Sequence, residues 1–202
     1  MPSTDPDDRR RCAWALSAPD YVEYHDREWG VPVSGDVAYF ERLTFEAFQS
    51  GLSWLIIMRK RPAFRQAFAQ FDPDRVAAFG DADRERLLAD SGIVRNRQKI
   101  EATIANARAL CRLREADGEG ALDRLIAAHR PSEADLQREG HRRPPRHLGD
   151  LPTQTSASKA LAKALKARGF GFVGPTTLYA GMQANGLVND HLEGCFRRAE
   201  LS

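Results

Sequence analysis

Lys163-Ala164-Leu165-Lys166-Ala167-Arg168-Gly169-Phe170-Gly171-Phe172-Val173-Gly174-Pro175-Thr176-Thr177 reads as helix, tight hairpin, helix. Gly169, Gly171 and Gly174 permit positive φ and close backbone approach, while Phe170 and Val173 can anchor the turn in a core. Pro175 suits the first turn of the second helix, whose free N–H groups point back at the hairpin. Such a helix start binds phosphate without reading base sequence. Lys163, Lys166 and Arg168 stand nearby to add charge. A Gly-rich hairpin is equally an ordinary corner between helices, so this stretch alone leaves both readings open.

Outward from the hairpin the pattern stays helical. Thr155-Ser156-Ala157-Ser158 offers caps for a helix through Leu161 and Leu165, and the helix from Pro175 ends at Gly186. From about Asn96 to Glu115, Ile100, Ile104, Ala107, Cys111 and Arg114 recur at helical spacing, with Asp117-Gly118 as the stop. Asp36 can cap a helix carrying Val37, Phe40, Leu43 and Phe48, ending near Gly51. Pro62 suits the start of the next helix, with Phe64, Ala67 and Phe68 inward. Asp81 or Asp83 can cap a short one through Leu87 and Leu88 that stops at Gly92. No useful β alternation is found, so the fold class is all-α. Residues 1–10 are expected to be a disordered tail and 140–152 a polar, Pro- and Arg-rich loop.

Composition bounds the class. A chain of 202 residues can bury a core in one large domain or two small ones, and its formal net charge is only +2. No global basic field advertises nucleic acid, although a local patch is compatible with that total. No run of apolar residues is long enough for a membrane span, and the start lacks a signal-peptide stretch. Three widely spaced cysteines do not make a disulfide framework. A cytoplasmic location in a reducing compartment follows as the expectation, with Cys111 as a small core residue.

Two constellations carry chemistry. Cys12 and His25, with His191 and Cys195, form a Cys2His2 set of the kind that binds zinc in a closed tetrahedral site. The two pairs lie at opposite ends of the chain, so spacing leaves open a buried cysteine with unrelated histidines. Trp14, Tyr21, Tyr24, Trp29 and Trp54 crowd into the first 54 residues, near Glu46. Any one of these rings suits a core. Together beside a carboxylate they can form a box for a flat, electron-poor ring, as in enzymes that hold a base extruded from a duplex.

At this point the residues carry a family likeness. Cys12-Ala13-Trp14, Tyr24-His25-Asp26-Arg27-Glu28-Trp29-Gly30-Val31-Pro32 and Gln49-Ser50-Gly51-Leu52-Ser53-Trp54 resemble the DNA-3-methyladenine glycosylase I family. So do Gly92-Ile93-Val94-Arg95-Asn96-Arg97-Gln98-Lys99-Ile100, the hairpin from Arg168 to Thr176, and Gly186-Leu187-Val188-Asn189-Asp190-His191. The matches run in order from about Arg11 to Cys195. The resemblance implies a helix-hairpin-helix DNA glycosylase fold, with residues 11–202 as one unit of two helical parts and the base pocket between them. It implies a structural Zn2+ on Cys12, His25, His191 and Cys195. Glu46 is then the catalytic candidate, and Tyr24, Trp54, Trp14, Trp29 and Tyr21 bind the base. Gly51, Leu52, Gly169, Gly171, Gly174 and Thr176 are the DNA contacts. Many members of the wider superfamily carry a catalytic aspartate after the hairpin. Here Asn189 occupies the registered position, and Asp190 is not assigned that role.

The implied reaction is release of 3-methyladenine from double-stranded, alkylated DNA by a monomer, leaving an abasic site. Methylation at N3 makes the base cationic while still attached to deoxyribose, so it needs no protonation to leave. Two readings compete: a zinc-containing module that binds DNA without cutting the glycosidic bond, and a helical domain whose aromatics are all core. A catalytic zinc hydrolase is the weaker enzyme reading, since a closed Cys2His2 shell leaves no position for water.

Overall fold

The computed structural model describes residues 9–139 and 143–201, and no strand occurs among them. The helices are α1 (Pro19–Arg27), α2 (Asp36–Gln49), α3 (Trp54–Ala67), α4 (Pro73–Ala77), α5 (Asp81–Ala89), α6 (Arg97–Asp117), α7 (Ala121–Ala127), α8 (Glu133–Arg138), α9 (Ser156–Ala167), α10 (Pro175–Ala184) and α11 (Phe196–Glu200). Short 3-10 turns lie at Ala13–Ser17, Ala69–Phe71 and Leu148–Asp150. The expectation of a disordered tail falls for residues 1–8 outside the described part. Arg9 and Arg10 depart from it: the Arg9 guanidinium lies over the Phe196 ring, and Phe196 N–H donates to the Arg10 carbonyl.

The core is phenylalanine-rich. Phe40, Phe45 and Phe48 of α2 meet Phe64 of α3 and the neighbouring Phe68 and Phe71 in edge-on and stacked pairs. Against them packs α6 through Ile100, Ile104 and Leu110. Ala69, Gln70 and Phe71 all adopt left-handed φ, at 51°, 58° and 57°. That conformation costs about 1–2 kcal/mol per residue, and complete burial of Phe71 offsets part of it.

Several sequence expectations shift. Gly35 caps α2, and the Asp36 carboxylate instead accepts from N–H of Gly120, Leu122 and Asp123 at the start of α7, and from Arg114. Burial works to raise the Asp36 pKa, but these donors hold it below the usual carboxylate range. Val37, expected inward, is exposed. Pro62 lies inside α3 rather than at a helix start. An interior proline costs about 3 kcal/mol, yet Ile57 and Met58 before it and Phe64 and Ala67 after it are all buried. Packing on both sides therefore carries the helix through the missing hydrogen bond. Cys111 is half-buried beside Asp74 rather than in the core, its thiol raised to about 11 by burial and by that carboxylate. Thr155 caps α9 on Ser158 N–H as expected, and Asn96 caps α6 on Lys99 N–H at the start of the expected helix.

Candidate active site and metal centre

Helix α6 positions two distant loops with one face. The Lys99 ammonium donates to the carbonyls of Phe48 (2.8 Å) and Ser50 (2.6 Å), capping the end of α2 just before Gly51 and Leu52. Two turns on, Asn106 accepts from Gly171 N–H (2.7 Å) and donates to the Gly171 carbonyl (3.1 Å). A cation at a helix C-terminus also complements the dipole there. Leu52 stands 39 % exposed at the tip of its loop.

The hairpin joins α9 to α10, with Phe170 and Val173 buried and Pro175 in the first turn of α10. Its left-handed residues are Gly169, at φ 87°, and Phe172, at φ 55°, not Gly171 or Gly174. Gly174 caps α10 with φ −70° and ψ 154°. A Cβ there would meet only Thr177 Oγ1, at 3.9 Å, so a small side chain fits. Thr176 is exposed on the first turn of α10. Lys163 and Lys166 are exposed, while Arg168 pairs with Asp117.

A cavity of about 420 Å³ opens among the 3-10 turn at Ala13–Ser17, α1, α2, the start of α3 and α10. Its walls include every aromatic residue singled out above: Trp14, Tyr21, Tyr24, Trp29 and Trp54. The rings brace one another. Trp14 meets Tyr21 and Trp29 edge-on at 5.8 and 5.2 Å, and Tyr24 tilts against Trp54 at 5.3 Å. Tyr21 Oη accepts from Leu55 N–H, tying α1 to α3.

Glu46 enters the cavity from α2 and is only 7 % exposed. Among the described residues no hydrogen bond satisfies its carboxylate, and burial raises its pKa to about 8 against the pull of Arg42. A buried ionised carboxylate without partners is costly, so burial favours the neutral acid. Tyr24 is likewise pushed up, by burial and then by Glu46.

Sequence reasoning missed other lining residues. Gln49 lies one turn after Glu46, and Ala180, Gln183 and Ala184 form one face of α10, so helical periodicity could have found them once the pocket was placed. Leu148 and Leu151 carried no such signal. Asp190 is buried and accepts from Tyr179 Oη (2.5 Å) and Gln183 Nε2 (2.8 Å), holding a pocket residue from behind. Asn189 donates to the Arg198 carbonyl. Neither lines the cavity.

The four expected ligands do converge. One donor atom each from Cys12, His25, His191 and Cys195 lies within 4.8 Å of every other, and all four residues are buried. Cys195 Sγ is 3.3 Å from His25 Nε2 and 3.6 Å from His191 Nδ1, and Cys12 Sγ is 3.7 Å from that same Nδ1. Metal bonds of about 2.3 Å to sulfur and about 2.0–2.1 Å to nitrogen put tetrahedral S···N separations near 3.5 Å, so the group could hold a metal ion. The second shell suits one as well. His25 Nδ1 faces Asp26 at 2.8 Å, and Arg11 clamps Asp26. The hydrogen bond between Cys12 and Cys195 holds the Cys195 thiol well below its usual range and raises that of Cys12, and an ion binding both thiolates would replace that pairing. Trp14 against His25 and Trp29 against His191 separate this cluster from the cavity they also line.

Comparison with known proteins matches this arrangement. The methyladenine glycosylase family model matches residues 14–198. The chain is 46 % identical over 187 residues to DNA-3-methyladenine glycosylase 1 of Escherichia coli (strain K12), covering 92 % of this chain and 95 % of that protein. It is 41 % identical over 187 residues to the DNA-3-methyladenine glycosylase of Haemophilus influenzae, covering 92 % and 96 %. The 3-methyladenine DNA glycosylase I of Staphylococcus aureus, solved to explain its recognition of 3-methyladenine, superimposes with a TM-score of 0.81. That likeness covers 93 % of this chain and 96 % of the other, at 33 % identity. No helix among the described residues is long and apolar enough to cross a membrane. With the family model spanning most of its length, this chain belongs to the methyladenine glycosylase family.

Proposed function

We propose that this protein is a DNA glycosylase that extrudes 3-methyladenine from alkylated double-stranded DNA, releases it by hydrolysis and leaves an abasic site. The observation that carries the reading is Glu46: a buried carboxylate without a hydrogen-bond partner, at the end of an aromatic cavity in a fold matching this family.

The chemistry follows from that pocket. In the substrate the C1′–N9 bond breaks heterolytically, its electron pair neutralises the methylated base, water adds to C1′ and a proton passes to solvent. The base leaves easily, so the enzyme's task is to hold a cation in preference to neutral adenine. Burial raises Glu46 and favours its protonated form. A cationic ring reverses that balance, because opposite charge favours the carboxylate. Neutral adenine brings no such compensation. The faces of Trp54, Tyr24 and their neighbours add cation–π attraction of about 0.5–2 kcal/mol per ring. Gly51 and Leu52 face the gap left by the extruded nucleotide, and Gly169 to Thr176 grip the backbone.

Residues 11–202 form one catalytic unit of two helical parts, acting as a cytoplasmic monomer. Zinc is the metal proposed for Cys12, His25, His191 and Cys195, because a thiolate–imidazole set with no open position suits a structural ion. When bound, it supplies a cross-link between the two ends of the chain. Incubating the protein with methylated duplex DNA and identifying the free bases tests the reading. Free 3-methyladenine and matching abasic sites are expected. Binding to DNA without base release overturns it in favour of a non-catalytic module.

A further inference from the structure

One side of the cavity is closed by Leu148 and Leu151, from the stretch between α8 and α9. Leu148 is 52 % exposed although it lines the cavity, so its side chain stands at the mouth. Glu46 lies deep, and half-buried Leu151 falls between them in exposure. Both leucines are held in place. The Asp150 carboxylate accepts from N–H of Arg146 (2.8 Å) and His147 (2.9 Å), closing the turn on itself. Arg146 pairs with Glu193 at 2.9 Å, and Glu193 N–H donates to the Pro145 carbonyl at 2.7 Å. The turn is thereby fastened to the chain between His191 and Cys195. Neither leucine is among the described apolar side chains packed on the main core. An apolar side chain fixed at a cavity mouth gains burial only when something fills that mouth.

A nucleotide entering this cavity stays attached to its strand, so the base lies deep and the deoxyribose lies at the mouth. We propose that Leu148 packs on the deoxyribose of the extruded nucleotide and Leu151 on its base, making Leu148 a positioning residue and Leu151 a base-contacting residue of the pocket. An apolar wall at the sugar orients the glycosidic bond and leaves the charge preference to Glu46 and the rings. The assignment rests on reading the cavity as the nucleobase pocket.

Leu148→Ala, Leu148→Met and Leu151→Ala test it. The readouts are single-turnover release of 3-methyladenine from methylated duplex DNA and affinity for the free base. Removing about half the burial of a leucine should slow release by Leu148→Ala roughly three- to tenfold. Its free-base affinity, undamaged-duplex affinity and Tm should match the wild type, because the free base carries no sugar. Leu148→Met should restore most of the rate, and Leu151→Ala should weaken free-base binding as well as slow release. An unchanged rate in Leu148→Ala overturns the assignment. So does an equal loss of free-base or undamaged-duplex affinity in that variant. A wild-type protein that releases no base from methylated DNA removes the pocket reading itself, and this outcome is distinct from the others.

Discussion

Glu46→Gln keeps the shape of the side chain and removes the carboxyl group whose charge burial in the cavity opposes. Burial raises this carboxyl from its ordinary 4.5 to about 8. With a raised folded-state pKa, its contribution to stability is fully present below about pH 4.5 and is lost as pH rises through about 8. In that window the folded protein holds a proton that the unfolded chain has released, so stability falls by up to about 1.4 kcal/mol per pH unit. The carboxylate borders a cavity that water can enter, which lowers the total to about 1–3 kcal/mol. Gln does not titrate. The variant should therefore gain stability relative to the wild type as pH rises from 5 to 9. Urea unfolding of both proteins across that range measures the difference, and other titrating groups cancel in it. The same variant should fold normally and bind undamaged duplex, yet release 3-methyladenine more slowly. A wild-type-minus-variant stability that stays flat between pH 5 and 9 would refute the reasoning, because Glu46 would then be ionised in the folded protein.

Three further outcomes are expected. Metal analysis of purified protein should find about one zinc per chain, and Cys195→Ala should lose the metal and several degrees of Tm, since metal binding is folding free energy; folded protein free of zinc would remove the ligand assignment. Trp54→Ala should cut base release by about 1–3 kcal/mol, roughly five- to 160-fold, while sparing undamaged-duplex binding in a filter or anisotropy assay; equal losses in both would place Trp54 on the DNA rather than the base. Gly186→Ala should cost more than about 2 kcal/mol in urea unfolding, because Gly186 has φ 67° and its Cβ would stand 2.4 Å from the Gly30 carbonyl; a neutral result would show that the two ends of the chain do not meet so closely there.

Local signals in the sequence determined most helices, the hairpin and the inventory of the site. Capping residues such as Asn96 and Thr155 act within three residues, so their effect is legible in the string. Donor chemistry likewise singled out Cys12, His25, His191 and Cys195, although it could not bring them together. Long-range packing decided the rest. Asp36 looks like a cap for its own helix, but its carboxylate serves a helix start 84 to 87 residues away. Pro62 looks like a helix start until core contacts on both sides carry α3 through it. Three glycines suggested where the hairpin turns left-handed, yet Phe172 takes one of those positions. Lys99 and Asn106 become fasteners of two loops only once α6 lies across both. The raised pKa of Glu46 exists only in the folded state, because desolvation by distant segments creates it. Composition names the donors and the rings, and only the tertiary fold determines which of them lose water together.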